Sequence, residues 1–196
     1  MAKRRKHMNV EGILLSGGIL LLIGSLFLPI PIILFAQDVF FYQENQLALI
    51  RHEEAFRGLA GAMAGLGVLC LVALTLLMWT DKKRKPFRLT WLFIGIGLLS
   101  VPVAISSIFS YTSIEPTRVT HHAFGHVQAE RLLFEELTQM TRHYQPDPLR
   151  ITAITFSTPT QDVTIPYDAQ HGPTVRAIPR ILEQYPVEVV EDGFPN

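Results

Sequence analysis

His121, His122, His126 and Glu130 form the one local group of metal-ligand side chains in the sequence. On a helix, His122, His126 and Glu130 would stand at i, i+4 and i+8 along one face, a spacing that a zinc or copper site can use. On a strand, His121 and His122 would point to opposite faces and the group would disperse. Because histidine titrates near neutrality, the same residues are also candidates for sensing pH. Two further patterns stop short of chemistry. His52, Glu53 and Glu54 begin like a zincin motif, but Phe56 stands where the second histidine should be, so the i, i+4 metal pair is missing. Ser157, Thr158 and Asp162, with His171, supply hydrolase residue types without a nucleophile elbow or an ordered base. No catalytic residue and no cofactor are expected from these patterns.

The elements that must position these residues are set by an uneven distribution of charge. No charged residue occurs between Glu11 and Asp38, between Arg57 and Asp81, or between Arg88 and Glu115. Each gap exceeds the roughly 20 residues needed to cross a bilayer core. Spans are therefore expected at residues 12–36, 58–80 and 89–111. The first is too long for the apolar core of a signal peptide, and Leu34, Phe35 and Ala36 make a poor cleavage site, so it is expected to stay as a span. None of the three carries Asp, Glu, Lys, Arg or His, the usual bearers of proton relays and ion pathways, which argues against an autonomous ion-coupled transporter.

All lysines fall in two short stretches, Lys3, Arg4, Arg5 and Lys6 within residues 1–11, and Lys82, Lys83, Arg84 and Lys85, followed by Arg88, within residues 81–88. Basic residues close to a span mark the cytoplasmic side. Both stretches are expected there, with the connection 37–57 and the tail 112–196 outside the plasma membrane. The tail beyond Tyr111 has six Arg, no Lys and eleven Asp or Glu, which disfavours nucleic acid as a partner. Cys70, alone in the chain and inside the second span, excludes a disulfide framework.

Within the spans, Pro29 and Pro31 should kink or unwind the outer end of the first, and Pro102 should free a carbonyl that Ser100 or Ser106 could meet. Gly58, Gly61 and Gly65 give the second span a small-residue face of GxxxG spacing, suited to close packing inside the chain or against a second subunit. Phe40, Phe41 and Tyr42 suit a membrane interface, and with Leu47, Leu49 and Ile50 they read as a short amphipathic helix running into the second span.

For residues 117–144 two readings compete: one amphipathic helix, or strands at 119–124, 131–134 and 138–144 separated by a turn at Gly125 and a bend at 135–137. Beyond them the pattern is plainer, with a hairpin of strands 150–157 and 162–166, a helix 174–184 and a final strand 187–190. The fold class expected is three transmembrane helices plus a small α+β C-terminal domain, mainly antiparallel sheet with one closing helix.

This order of features resembles the membrane-anchored bacterial PH-like domain proteins. It rests on the aromatic, strand-forming stretch 109–114 at the end of a span, the strand 118–124, the charged stretch 130–137, the hairpin and the closing helix. The resemblance implies a curved antiparallel sheet closed by a helix, acting as a binding or assembly module without catalysis. The function expected is that of a non-enzymatic accessory or regulatory membrane protein. Its partners would be the bilayer and either an envelope protein or a second copy of itself. The alternatives are an outer sensor or ligand-binding module using the histidines, and a subunit of a transport complex.

Overall fold

The computed structural model describes residues 2–82, 90–126, 128–146 and 148–193. Lys83, Arg84, Lys85 and Arg88 lie outside these residues, whereas Lys3, Arg4, Arg5 and Lys6 fall on the first helix. The chain divides into two compact units, Met1–Ala36 with Glu53–Ile108, and Gln37–His52 with Phe109–Asn196.

In the first unit, α1 (Ala2–Phe27) and α2 (Pro29–Phe41) are interrupted only at Leu28. The two prolines occupy the first and third positions of α2, where a helix has N–H groups to spare. Helical hydrogen bonds cross the break, from Leu28 N to Gly24 O at 2.8 Å and from Ile32 N to Leu28 O at 3.1 Å. The prolines thus mark an interruption after which the helix resumes, and it runs on to Phe41 rather than unwinding at residue 36. α3 (Glu53–Lys82) opens with Glu53 and Glu54 against the positive end of its dipole. α4 (Thr90–Leu98) and α5 (Ser100–Phe109) are separated at Leu99 by the effect of Pro102, and Ser100 Oγ donates to Gly97 O at 2.6 Å. Among the described residues, Val10–Phe27, Glu53–Lys82 and Thr90–Phe109 are long and apolar enough to cross a membrane.

Close packing of α1 on α3 runs through glycines, but not those expected. A Cβ added at Gly67 would lie 2.8 Å from Leu22 Cγ and 2.9 Å from Gly18 O, and one at Gly18 would lie 3.1 Å from Gly67 O. The backbones therefore meet at Gly18 and Gly67. Among the described residues nothing lies within 4 Å of a Cβ added at Gly61 or Gly65, so the in-chain packing expected of the Gly58, Gly61 and Gly65 face is not found at those two positions. Gly67→Leu should destabilise the helical unit by about 1–3 kcal/mol through overpacking, whereas Gly61→Leu should leave it unchanged. Thermal unfolding of the two variants in detergent, side by side, checks this.

The second unit is rich in sheet. Its first sheet has the order β1-β2-β3-β4, from β1 (Ala48–Arg51), β2 (Tyr111–Ile114), β3 (Arg118–His122) and β4 (Glu130–Leu133), all antiparallel neighbours. The connection 37–57 is thus no amphipathic helix: between the end of α2 and the start of α3 it delivers a strand to the sheet. Ala48 pairs with Ile114, and Leu47 N donates to Ile114 O at 2.8 Å. Gly125 turns the chain between β3 and β4 at a φ of 81°, a conformation that costs glycine little.

The second sheet has the order β7-β6-β5-β8, from β5 (Gln139–Pro146), β6 (Leu149–Ser157), β7 (Asp162–Pro166) and β8 (Glu188–Asp192), the last parallel to β5. Between β7 and β8 lies α6 (Gly172–Gln184), which buries Thr174, Ala177, Ile178 and Ile181 at helical spacing. One core joins both sheets and α6, with Ile114, Val119, Leu132, Phe134, Met140, Ile154, Phe156, Val163 and Ile165 almost wholly buried. Each such side chain contributes about 1.5–3 kcal/mol of apolar burial.

Candidate functional site

The residues expected to bind metal are strand and turn residues, and the structure disperses them. His121 and His122 are consecutive on β3 and face opposite sides of the sheet. His122 stacks on Tyr111, with ring centroids 4.8 Å apart, while His126 follows the Gly125 turn and contacts Phe124 O through Nδ1 at 3.3 Å. Glu130 pairs across the ladder with His121. The helical face that would have aligned His122, His126 and Glu130 does not form, and among the described residues no three His, Cys, Asp or Glu side chains are grouped to hold a metal ion. The hydrolase types are also committed elsewhere: the Thr158 hydroxyl donates to Gln161 O at 2.9 Å in the β6–β7 turn, and His171 Nδ1 meets Thr174 Oγ1 at 2.6 Å.

A different polar group is brought together inside the second unit. The register of the first sheet places Ala48, Ile114, Val119 and Leu132 in one row on the core face. Two residues along, on the same face, come Ile50, Thr112, His121 and Glu130. Continuing the alternation leads to His52 and Ser110. Here the core row turns polar. His52 Nδ1 lies 3.1 Å from Ser110 Oγ, His52 Nε2 lies 2.8 Å from Thr112 Oγ1, and Thr112 Oγ1 lies 2.8 Å from His121 Nδ1. The two imidazole centroids are 5.0 Å apart. Ser110 and Thr112 have no exposed surface and His52 only 7%. Gln37 Nε2 donates to Ser110 O at 3.0 Å beside them.

Hydrogen-bond accounting fixes how many protons this chain of side chains can hold. With both rings neutral, Ser110 can donate to His52 Nδ1, His52 Nε2–H to Thr112, and Thr112 to His121 Nδ1; the reverse order closes equally well. One added proton is accommodated in either ring. With both rings charged, Thr112 receives an N–H from each side and its own hydroxyl loses its acceptor within the group. Burial, and secondarily the neighbouring His121, push His52 down to about 4 from its ordinary 6.5. His122 is also lowered, by burial first and then by Arg131 and His121, and burial raises Tyr111.

The arrangement lacks what hydrolysis needs. Ser110 is enclosed, and both ring nitrogens of His52 are taken up by Ser110 and Thr112, so the group is a buried hydrogen-bond chain whose direction can reverse. Sequence reasoning named His121 but missed His52, Ser110 and Thr112. The signal was there in the period-2 series Ser110, Thr112, Ile114 and Ala48, Ile50, His52. No family model, curated protein or solved structure matches the chain.

Proposed function

We propose that the chain is a non-enzymatic integral membrane protein whose sheet-rich unit is an interaction module outside the cytoplasm, joined to three membrane spans. The observation that carries this reading is the pairing of β1 with β2. β1 follows the first apolar helix and β2 follows the last, so their ladder requires both segments to lie on one side of the membrane. Two crossings between them, α3 and then α4 with α5, satisfy that requirement. The basic stretches at Lys3 to Lys6 and around Lys82 then occupy the opposite, cytoplasmic side, in keeping with the positive-inside rule. A sheet unit attached at residues 36–37, 52–53 and 108–109 has three covalent joins to the helices, which suits an accessory or regulatory subunit that transmits binding to the spans.

Support for a PH-like module comes from the strand sequence. β2, β3 and β4, then β5, β6 and β7, then α6 in their common core follow one another in the order of the resemblance, to which β1 adds a strand from before the second span. β8, added parallel to β5 after the helix, extends that plan. The partner expected is an envelope protein or a second copy of the chain, for which the open Gly61 and Gly65 face is one available contact. Native mass measurement in detergent, together with cross-linking in intact membranes, tests the proposal. A defined oligomer or a reproducible heteromeric adduct is expected; a strict monomer without adducts would contradict it.

A second reading, a pH-responsive sensor, is favoured by the bridge from His52 through Thr112 to His121.

A further inference from the structure

The wall between α6 and the second sheet holds a cavity of about 220 Å³, lined by Arg142, Ile151, Ile154, Tyr167, Val175, Ile178 and Pro179. Its lining is aliphatic except for Arg142 and Tyr167. Arg142 lies on β5 opposite Ile154 of β6 and Glu191 of β8. Neither Glu191 nor Asp192 of β8 takes up its charge. Glu191 accepts from the Tyr144 hydroxyl at 3.4 Å, and Asp192 Oδ2 meets His143 Nδ1 at 3.0 Å. Among the described residues, the Arg142 side chain has no ion pair or hydrogen bond, and the Tyr167 hydroxyl has no hydrogen-bond partner.

Arg142 is half-buried and has no anion beside it among the described residues, and the cavity it lines is a place where one fits. We infer that this cavity binds a small monocarboxylate with a short apolar tail, its carboxylate on Arg142 and Tyr167 and its tail among Ile151, Ile154, Val175 and Ile178. The chemistry selects the class. A single guanidinium pairs a carboxylate bidentately, whereas a phosphate dianion would meet no second cation on this lining. The volume lies below the roughly 300–1,000 Å³ of pockets for drug-sized ligands, which restricts the tail to a few carbons. The site does not depend on the assembly reading above, since its lining belongs entirely to the sheet-rich unit.

Hexanoate and its uncharged isostere hexanamide, titrated against the full chain in lipid nanodiscs by ligand-observed NMR, test the inference. Saturable binding of hexanoate is expected, with hexanamide and the Arg142→Gln variant each weaker by about tenfold or more. Val175→Phe, which fills the apolar end and leaves the cation in place, should abolish it. Circular dichroism melts of both variants separate a lost site from a lost fold. No saturable binding of hexanoate by the native chain, or equal binding by native protein and a folded Arg142→Gln variant, would overturn the proposal.

Discussion

Phe156→Ala should cost the sheet-rich unit about 3–5 kcal/mol. Phe156 is fully buried on β6, packs against Phe134 with ring centroids 5.7 Å apart, and lies in the core that both sheets share with α6. A cavity there opens in the close-packed core that both sheets and α6 share, which relaxes only partly to fill it. Limited proteolysis should then cut the variant within residues 112–193 under conditions where native protein resists. The helical unit has separate buried contacts among Ile33, Ala55 and Leu59 and should keep its helical signal. Equal resistance of variant and native chains would mean that this core does not hold the unit together.

The second large effect is on pH dependence. Burial holds His52 at about 4, against 6.5 in an unfolded chain. Between those values the unfolded chain binds a proton that the folded one refuses, so stability rises with pH. The contribution is present in full above 6.5 and is lost as pH falls through 4. Its size is of the order of 3 kcal/mol. His122 and His171 are lowered as well and act with the same sign. Ser110, Thr112 and His121 face His52, and none is an anion that would favour its charged form. The midpoint of thermal unfolding should therefore fall by about 10 °C or more between pH 7 and pH 4.5. In His52→Gln, whose amide can still bond the two hydroxyls, most of that slope should disappear. An unchanged slope would place the acid sensitivity elsewhere.

How far the sequence foretold this molecule depended on how local each signal was. The hairpin of β6 and β7 was legible from its pattern, whereas residues 117–144 were open between one helix and several strands; they form strands, with Gly125 taking the positive φ that the turn requires. α6 was legible because Val175, Ile178, Ile181 and Leu182 repeat with the helical period, and Ile178 and Ile181 are indeed buried. β1 was not. It is four residues long, both Ala48 and Leu49 are buried so its faces do not alternate in polarity, and its partner Ile114 is far along the chain. Next to Phe40, Phe41 and Tyr42 such a stretch reads as interfacial helix. The missed strand hid the polar group as well, since His52 meets Thr112 only through that pairing. The glycine pair Gly18 and Gly67 was obscured for a similar reason: a close approach between two helices depends on their crossing point, which GxxxG spacing within one helix does not specify.

The outer interaction module requires that the sheet-rich unit lie on the extracytoplasmic side of the membrane. Fusions of a reporter to the C-terminus address this directly, using alkaline phosphatase, active only outside the cytoplasm, and a fluorescent protein that matures only within it. The pairing of β1 with β2 and the two basic stretches predict an active phosphatase fusion and a dark fluorescent one. A fluorescent fusion with an inactive phosphatase would contradict the topology and, with it, the proposed outer interaction module.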